Sequence, residues 1–216
     1  MFYHEAVGPL PRIPDSVHQL KIRKREGGEA IRVWVDSVQG LLGLVEMDVV
    51  EIHPWGASID NIERPDLLVF DLHPGTDVEW KVVTHSALRL RELLRKEGLD
   101  SWPKLGGEGD LHVMVPFDRS LEWETARGYA KVLAEALAVT EPNRYTTSSG
   151  AASRLGRIYI DWLRNGRGST AIGAYSPIAH PGFPVAAPLG WVQVEAGVRP
   201  EAFTMDDPGG VRRRRT

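Results

Sequence analysis

Apolar residues recur along this chain in two rhythms, one of period two and one near 3.6, and the switches between them predict its elements. Ile31-Arg32-Val33-Trp34-Val35-Asp36 alternates as a half-buried strand. Val38 to Met47, with Leu41, Leu42, Leu44 and Val45, predicts a short apolar helix, and Val49-Val50-Glu51-Ile52-His53 a strand closed by Pro54. Leu67-Leu68-Val69-Phe70-Asp71-Leu72 is nearly continuous in apolar character, the pattern of a central strand covered on both faces; Pro74-Gly75 stops it. Lys81 to Glu97 predicts a helix whose stripe is Val82, Val83, Leu88, Leu90, Leu93 and Leu94, with Gly98 suited to the position after its cap. Leu111 to Val115 predicts a strand ended by Pro116. A second long helix is expected over Glu122 to Val139, turning Tyr129, Val132, Leu133, Ala136 and Leu137 inward. Arg157 to Trp162 predicts another strand, and Ser169 to Tyr175 one more before the proline-rich stretch Pro177 to Pro188. The first 30 residues, with Pro9, Pro11, Pro14 and the turn Gly27-Gly28, read as an extended leading segment. Strands separated by two long helices predict an α+β or mixed α/β domain with helices packed on a sheet. No linker forces a split, so one domain is expected over residues 1–205, followed by a flexible basic tail over 206–216.

Composition narrows the function classes. With 216 residues, 42% hydrophobic and 25% charged, the chain can bury a sizeable core and is not a disordered segment. No run approaches the ~20 apolar residues that span a bilayer. Met1-Phe2-Tyr3-His4-Glu5 lacks the basic and apolar regions of a signal peptide, so a cytoplasmic protein without membrane partners is expected. The absence of cysteine excludes disulfides, thiolate catalysis and cysteine-type zinc sites, leaving carboxylates, imidazoles and other oxygen donors for any metal. A formal charge of −3 speaks against coating nucleic acid by charge alone, while leaving room for a local basic groove. The run Arg212 to Arg215 reads as a solvated tail or as an accessory phosphate contact.

Four places could carry chemistry. Asp71 and His73 stand two apart on a strand and so share a face, where a carboxylate and an imidazole can hold one metal ion. The bland alternative is an aspartate capping the Pro-Gly turn beside an incidental histidine. Asp161 follows Ile158-Tyr159-Ile160, and a carboxylate on so apolar a strand needs a cation or donors; Arg154 and Arg157 are the ordinary partners. His112 lies within Leu111-His112-Val113, where a hydrogen-bonded core histidine is the plain reading. Leu105-Gly106-Gly107-Glu108-Gly109-Asp110 is a glycine-rich loop of the kind that wraps phosphates with backbone N–H groups, but Glu108 and Asp110 would repel one.

Several longer strings occur in a fixed order: Val50-Glu51-Ile52-His53-Pro54-Trp55-Gly56, Glu63-Arg64-Pro65-Asp66, Phe70-Asp71-Leu72-His73-Pro74-Gly75, the run from Gly156 through Asp161 to Gly168, Tyr175-Ser176, and Pro181-Gly182-Phe183-Pro184-Val185. In this the chain resembles, from about Phe2 to Glu195, the polymerase domain of bacterial non-homologous end-joining ATP-dependent DNA ligases, a branch of the archaeo-eukaryotic primase superfamily. The resemblance implies an α+β fold of primase-polymerase type, a mixed β-sheet flanked by helices around a single cleft. It implies template-directed nucleotidyl transfer to DNA ends or gapped DNA, with a nucleoside triphosphate and divalent metal. Through it Asp71 and Asp161 match two of the family's three metal-binding carboxylates, His112 matches the histidine that contacts nucleotide phosphates, and His53 the histidine near the nucleotide. Arg154 falls where a basic residue often precedes the third motif. Two cations close together stabilise both the attacking and the leaving oxygen, which is the chemistry such a site supplies.

The departures from the pattern shape the expectation. His73 stands in place of the second metal-binding aspartate, so the metal set is Asp71, His73 and Asp161 with roughly two negative charges instead of three, and Mn²⁺ is favoured over Mg²⁺. The Ser-Gly-x-Lys-Gly loop becomes Gly106-Gly107-Glu108-Gly109-Asp110, the later basic residue is Ile178, and Glu5 lies in a segment that tends to be basic. The family's N-terminal portion, which helps bind template and 5′-phosphate, is expected to be lacking. Two readings follow: a manganese-preferring DNA-repair polymerase working with a DNA ligase and the end-binding protein Ku, or a catalytically degenerate paralogue that binds DNA ends or a repair partner.

Overall fold

The structure, a computed structural model, describes residues 12–23, 27–107 and 109–206. Strands β1 (His18–Arg23) and β2 (Glu29–Trp34) form an antiparallel pair, followed by helix α1 (Val38–Glu46). The main sheet has five strands in the order β4 (Trp102–Leu105), β5 (Leu111–Pro116), β3 (Leu67–Pro74), β7 (Ile158–Asp161) and β6 (Tyr145–Thr146). All neighbours are antiparallel except β6 and β7. β3 is therefore central, as its apolar run requires, and Pro103 is tolerated because β4 is an edge strand.

Helices α2 (Trp80–Lys96) and α3 (Trp123–Thr140) lie together on one face of this sheet. Period two sorts β3: Leu68, Phe70 and Leu72 face the helices, and with Val113, Val115, Ile158 and Ile160 they meet Val83, Ala87, Leu90 and Leu94 of α2. Gly98 follows α2 with a φ of 75°, as its place in the sequence predicts. The opposite face of the sheet is left to loops, and the cleft opens there. Beyond the end of β7 the Asn165 side chain continues the ladder, accepting from the Val69 N–H at 2.7 Å and donating to the Val69 carbonyl at 2.8 Å. That clamp fixes the single turn of 3-10 helix over Leu163–Asn165 beside the sheet.

Four expectations need correction. Val49 to His53 is extended but joins no sheet: the Ile52 N–H donates to Ser176 Oγ at 2.9 Å and its carbonyl accepts from Gly173 at 2.7 Å. Ser169 to Tyr175, the other half of that irregular pairing, is likewise not a strand. The stripe of α3 is turned from the expected one, with Ala126, Ala130, Leu133, Ala134 and Leu137 buried while Val132 is 61% exposed; the small alanines let the helix approach α2 and the sheet closely. The leading segment, read as merely extended, contains β1, which pairs with β2 across Gly27-Gly28. Glu5, Pro9, Pro11, Glu108 and Arg212 to Arg215 lie outside the described residues. Among the described residues no helix is long and apolar enough to cross a membrane.

Candidate metal centre

Antiparallel register aligns the chemistry. Lys104 of β4 stands opposite His112 of β5, His112 opposite Asp71 of β3, and Asp71 opposite Asp161 of β7. Directly paired residues on adjacent strands point to the same face, so these four side chains form one transverse row on the open side of the sheet. Two residues further along β3, His73 pairs with Tyr159, and continuing the β3–β5 register by two residues beyond His112 brings Asp110 across from His73. Gly106 closes that second row, donating its N–H to the Asp110 carbonyl at 3.1 Å.

Within these rows the carboxylates and imidazoles touch. His73 Nε2 lies 2.7 Å and His112 Nε2 3.4 Å from Asp71 Oδ2, and His112 Nε2 is 3.0 Å from Asp110 Oδ2. Tyr159 donates its hydroxyl to Asp161 Oδ1 at 3.2 Å, and the Leu163 N–H donates to the same oxygen at 2.9 Å. On the far side of the His112 ring, Lys104 Nζ is 3.1 Å from Nδ1. Arg164 Nε approaches Asp161 Oδ2 at 3.3 Å and Asp71 Oδ2 at 3.5 Å, within ion-pair range but misdirected for a hydrogen bond. Asp71 Oδ1 is buried and accepts no hydrogen bond, although Asp71 lines the cleft.

The charges set one another's protonation. Burial alone would push the Asp71 carboxyl up, yet the charge and hydrogen bond of His112, then those of His73, hold it far below the usual carboxylate range. Burial works against a charged His73, but the hydrogen bond and charge of Asp71, aided by Asp110 and Asp161, raise it above the ordinary imidazole value. His112 is raised in the same way: burial and Lys104 oppose its charge, and Asp71 with Asp110 outweighs them. Lys104, 2% exposed, is brought down to about 8 chiefly by burial. The Tyr159 hydroxyl is pushed up to about 12 by burial and by Asp161.

Of the residues expected from the sequence, Asp71, His73 and Asp161 come together, with donor atoms within 4.8 Å of one another. A buried carboxylate oxygen without a donor, beside an imidazole and a second carboxylate, fits a divalent cation. His53 lines the same cleft, its Nε2 2.7 Å from Glu51 Oε2. His112 is buried beneath it, engaged by Asp110, Asp71 and Lys104. Arg154 lies apart from the lining residues, its guanidinium 5.2 Å over the Tyr159 ring. Ile178, in place of a basic residue, packs with Ile172 and Ala186 at the rim.

Lys104, Asp110 and Arg164 were not expected in the site. A signal for Asp110 stands in the sequence: the tripeptide Asp-Leu-His occurs twice, at Asp71-Leu72-His73 and Asp110-Leu111-His112. On antiparallel neighbours the two copies run head to tail, Asp71 pairing with His112 and Leu72 with Leu111.

Comparison with known proteins places these features in a context. The family described as "LigD, primase-polymerase domain" matches residues 2–214. The multifunctional non-homologous end joining protein LigD of Pseudomonas aeruginosa is 36% identical over 155 residues, covering 72% of this chain and 18% of that protein. The bifunctional LigD of Bacillus subtilis is 29% identical over 180 residues, covering 83% and 29% respectively. The chain thus spans less than a third of the length of these curated relatives. Among solved structures, the polymerase domain of Mycobacterium tuberculosis Ligase D in complex with DNA superposes with a TM-score of 0.81 at 27% identity, over 87% of this chain and 68% of that one.

Proposed function

The chain belongs to the LigD primase-polymerase domain family, and from that membership we propose that it is a DNA-repair polymerase that transfers nucleotides to DNA ends or gapped DNA. The observation that carries this reading is the pairing of Asp71 with Asp161 across β3 and β7, with His73 beside them and one Asp71 oxygen unpartnered. A divalent cation held by Asp71, His73 and Asp161 would neutralise triphosphate charge and stabilise the oxygens that exchange bonds. Because His73 supplies nitrogen where a carboxylate would supply oxygen, Mn²⁺ suits the set better than Mg²⁺.

The surrounding residues fit a nucleotide. Arg164 reaches both the ionic cleft and an adjoining, mostly apolar hollow lined by Trp55, Leu67, Val69, Trp102 and Met114. Phosphates belong in the first, against Arg164 and His53, and the base and sugar in the second. The solved relative is a complex with DNA, which supports a nucleic-acid substrate here. A DNA ligase and Ku are the partners that a role in end joining implies.

Arg164 also favours a second reading. Its Nε stands between Asp71 and Asp161, where a cation would be drawn, and a protein that keeps it there would bind DNA ends without extending them. Primer extension on gapped, 5′-phosphorylated DNA separates the two. We expect Mn²⁺-dependent extension that Asp161→Ala lowers by at least about a hundredfold, and His73→Asp to shift the preference toward Mg²⁺. A DNA mobility shift with no extension under either metal would overturn the polymerase reading in favour of the binding module.

A further inference from the structure

We propose that Glu51 is a positioning residue for the triphosphate: its carboxylate holds the His53 ring so that Nδ1 meets the phosphates, although its own charge repels them. This rests on the reading that phosphates enter the cleft against Arg164 and His53.

Residues 51–53 are extended, so Glu51 and His53 project to one side, and both line the cleft. Each oxygen of the carboxylate has its own donor. Oε2 lies 2.7 Å from His53 Nε2, and Oε1 accepts from the Ala179 N–H at 2.8 Å. Burial alone would raise the Glu51 carboxyl, yet the hydrogen bonds from His53 and Ala179 bring it below the usual carboxylate value. An ionised carboxylate can only accept, so Nε2 carries the proton in this contact and Nδ1 is the nitrogen left for a ligand.

The carboxylate is itself anchored from behind. Residues 51–53 are laced to the segment 173–179 at three points: the Gly173 N–H donates to the Ile52 carbonyl, the Ile52 N–H to Ser176 Oγ, and the Ala179 N–H to Glu51. A glutamine could not copy this arrangement, because its amide has one accepting oxygen and both neighbours are donors. Charge alone argues against a carboxylate here. Among the described residues that line the cleft, Glu51, Asp71 and Asp110 are acidic and Arg164 is the one fixed cation, with the imidazoles of His53, His73 and His112 between them. Another negative charge weakens the hold on a polyanion unless it orients a group that grips the anion. His53 is that group.

Calorimetry of inorganic tripolyphosphate in the presence of Mn²⁺, run as a double-mutant cycle of Glu51→Gln and His53→Ala, tests the proposal without relying on DNA extension. His53→Ala should weaken binding by about 10- to 100-fold, and Glu51→Gln by about 10-fold. In the His53→Ala background, Glu51→Gln should weaken nothing further and, by removing negative charge, should tighten binding slightly. A structural role would not reverse sign in this way. Both side chains are part-exposed, and circular dichroism verifies that the variants fold. A loss of equal size in both backgrounds makes Glu51 a structural residue and overturns the proposal, leaving the polymerase reading to primer extension. A gain in both backgrounds reduces Glu51 to a repelling charge and overturns it equally. A wild type that binds no tripolyphosphate overturns the phosphate reading of the cleft as well.

Discussion

The two faces of the main sheet differ more than any two regions of the molecule. Toward α2 and α3, every contributing side chain of β3, β5 and β7 is apolar, from Leu68, Phe70 and Leu72 to Val113 and Ile160. On the opposite face, one residue away along the same strands, lie His112, Asp71 and Asp161, joined by Lys104 of β4 and by Asp110 just ahead of β5, all buried. The first face gains stability from each group it removes from water. The second buries charges whose desolvation is only offset by one another, an arrangement that seldom adds net stability.

Phe70→Ala gives the largest effect by which this separation can be broken. Phe70 is fully buried against the helices, and its truncation should lower the free energy of unfolding by about 3–5 kcal/mol. Denaturant unfolding with and without Mn²⁺ checks it: the stabilisation conferred by Mn²⁺ should survive in Phe70→Ala. If Phe70→Ala abolished it, the two faces would not be independent.

The helix-covered face was legible because period two and period 3.6 mark it directly, as in the run Leu67 to Leu72 and in Leu90 and Leu94. Polar residues interrupting apolar strands marked Asp71, His73 and Asp161 one by one, but only the family resemblance joined them into one set. Lys104 was not legible, since β4 holds only four residues around Pro103 and its register against β5 is a tertiary fact. Asp110 read as a charge spoiling a phosphate loop; only the antiparallel pairing of two tripeptides turns it into a neighbour of His73. Val49 to His53 misled because β-rich sequence specifies an extended backbone but not the partner that completes it.

A smaller effect sharpens the comparison from the polar side. In metal-free protein His73 gains stability as a cation beside Asp71, so its pKa in the folded state lies above the ordinary imidazole value. That contribution is complete below the unfolded pKa of about 6.5 and is lost as pH rises through the raised folded value. Melting temperature in chelator should therefore fall across that span, by less than the Phe70→Ala loss because His73 is partly exposed. His73→Gln should flatten the slope. Mn²⁺ should reverse its sign, since a metal-bound imidazole must be unprotonated. A slope that His73→Gln leaves unchanged would place the titration elsewhere.

The smallest effect tests where the apolar face stops. Leu133 and Val132 are adjacent on α3, and a helix turns about 100° per residue, so only one can meet the sheet. The structure buries Leu133 in the core cluster and leaves Val132 61% exposed. Leu133→Ala should cost about 2–5 kcal/mol, whereas Val132→Lys should stay within about 0.5 kcal/mol of the wild type. Lysine even has a slightly better helix propensity than the β-branched valine it replaces, so a small gain is as consistent with the fold as no change. A loss at Val132 comparable to that at Leu133 would turn α3 back to the face that its sequence alone predicts. Ala126, Ala130 and Ala134 would then no longer be the residues that bring the helix against the sheet.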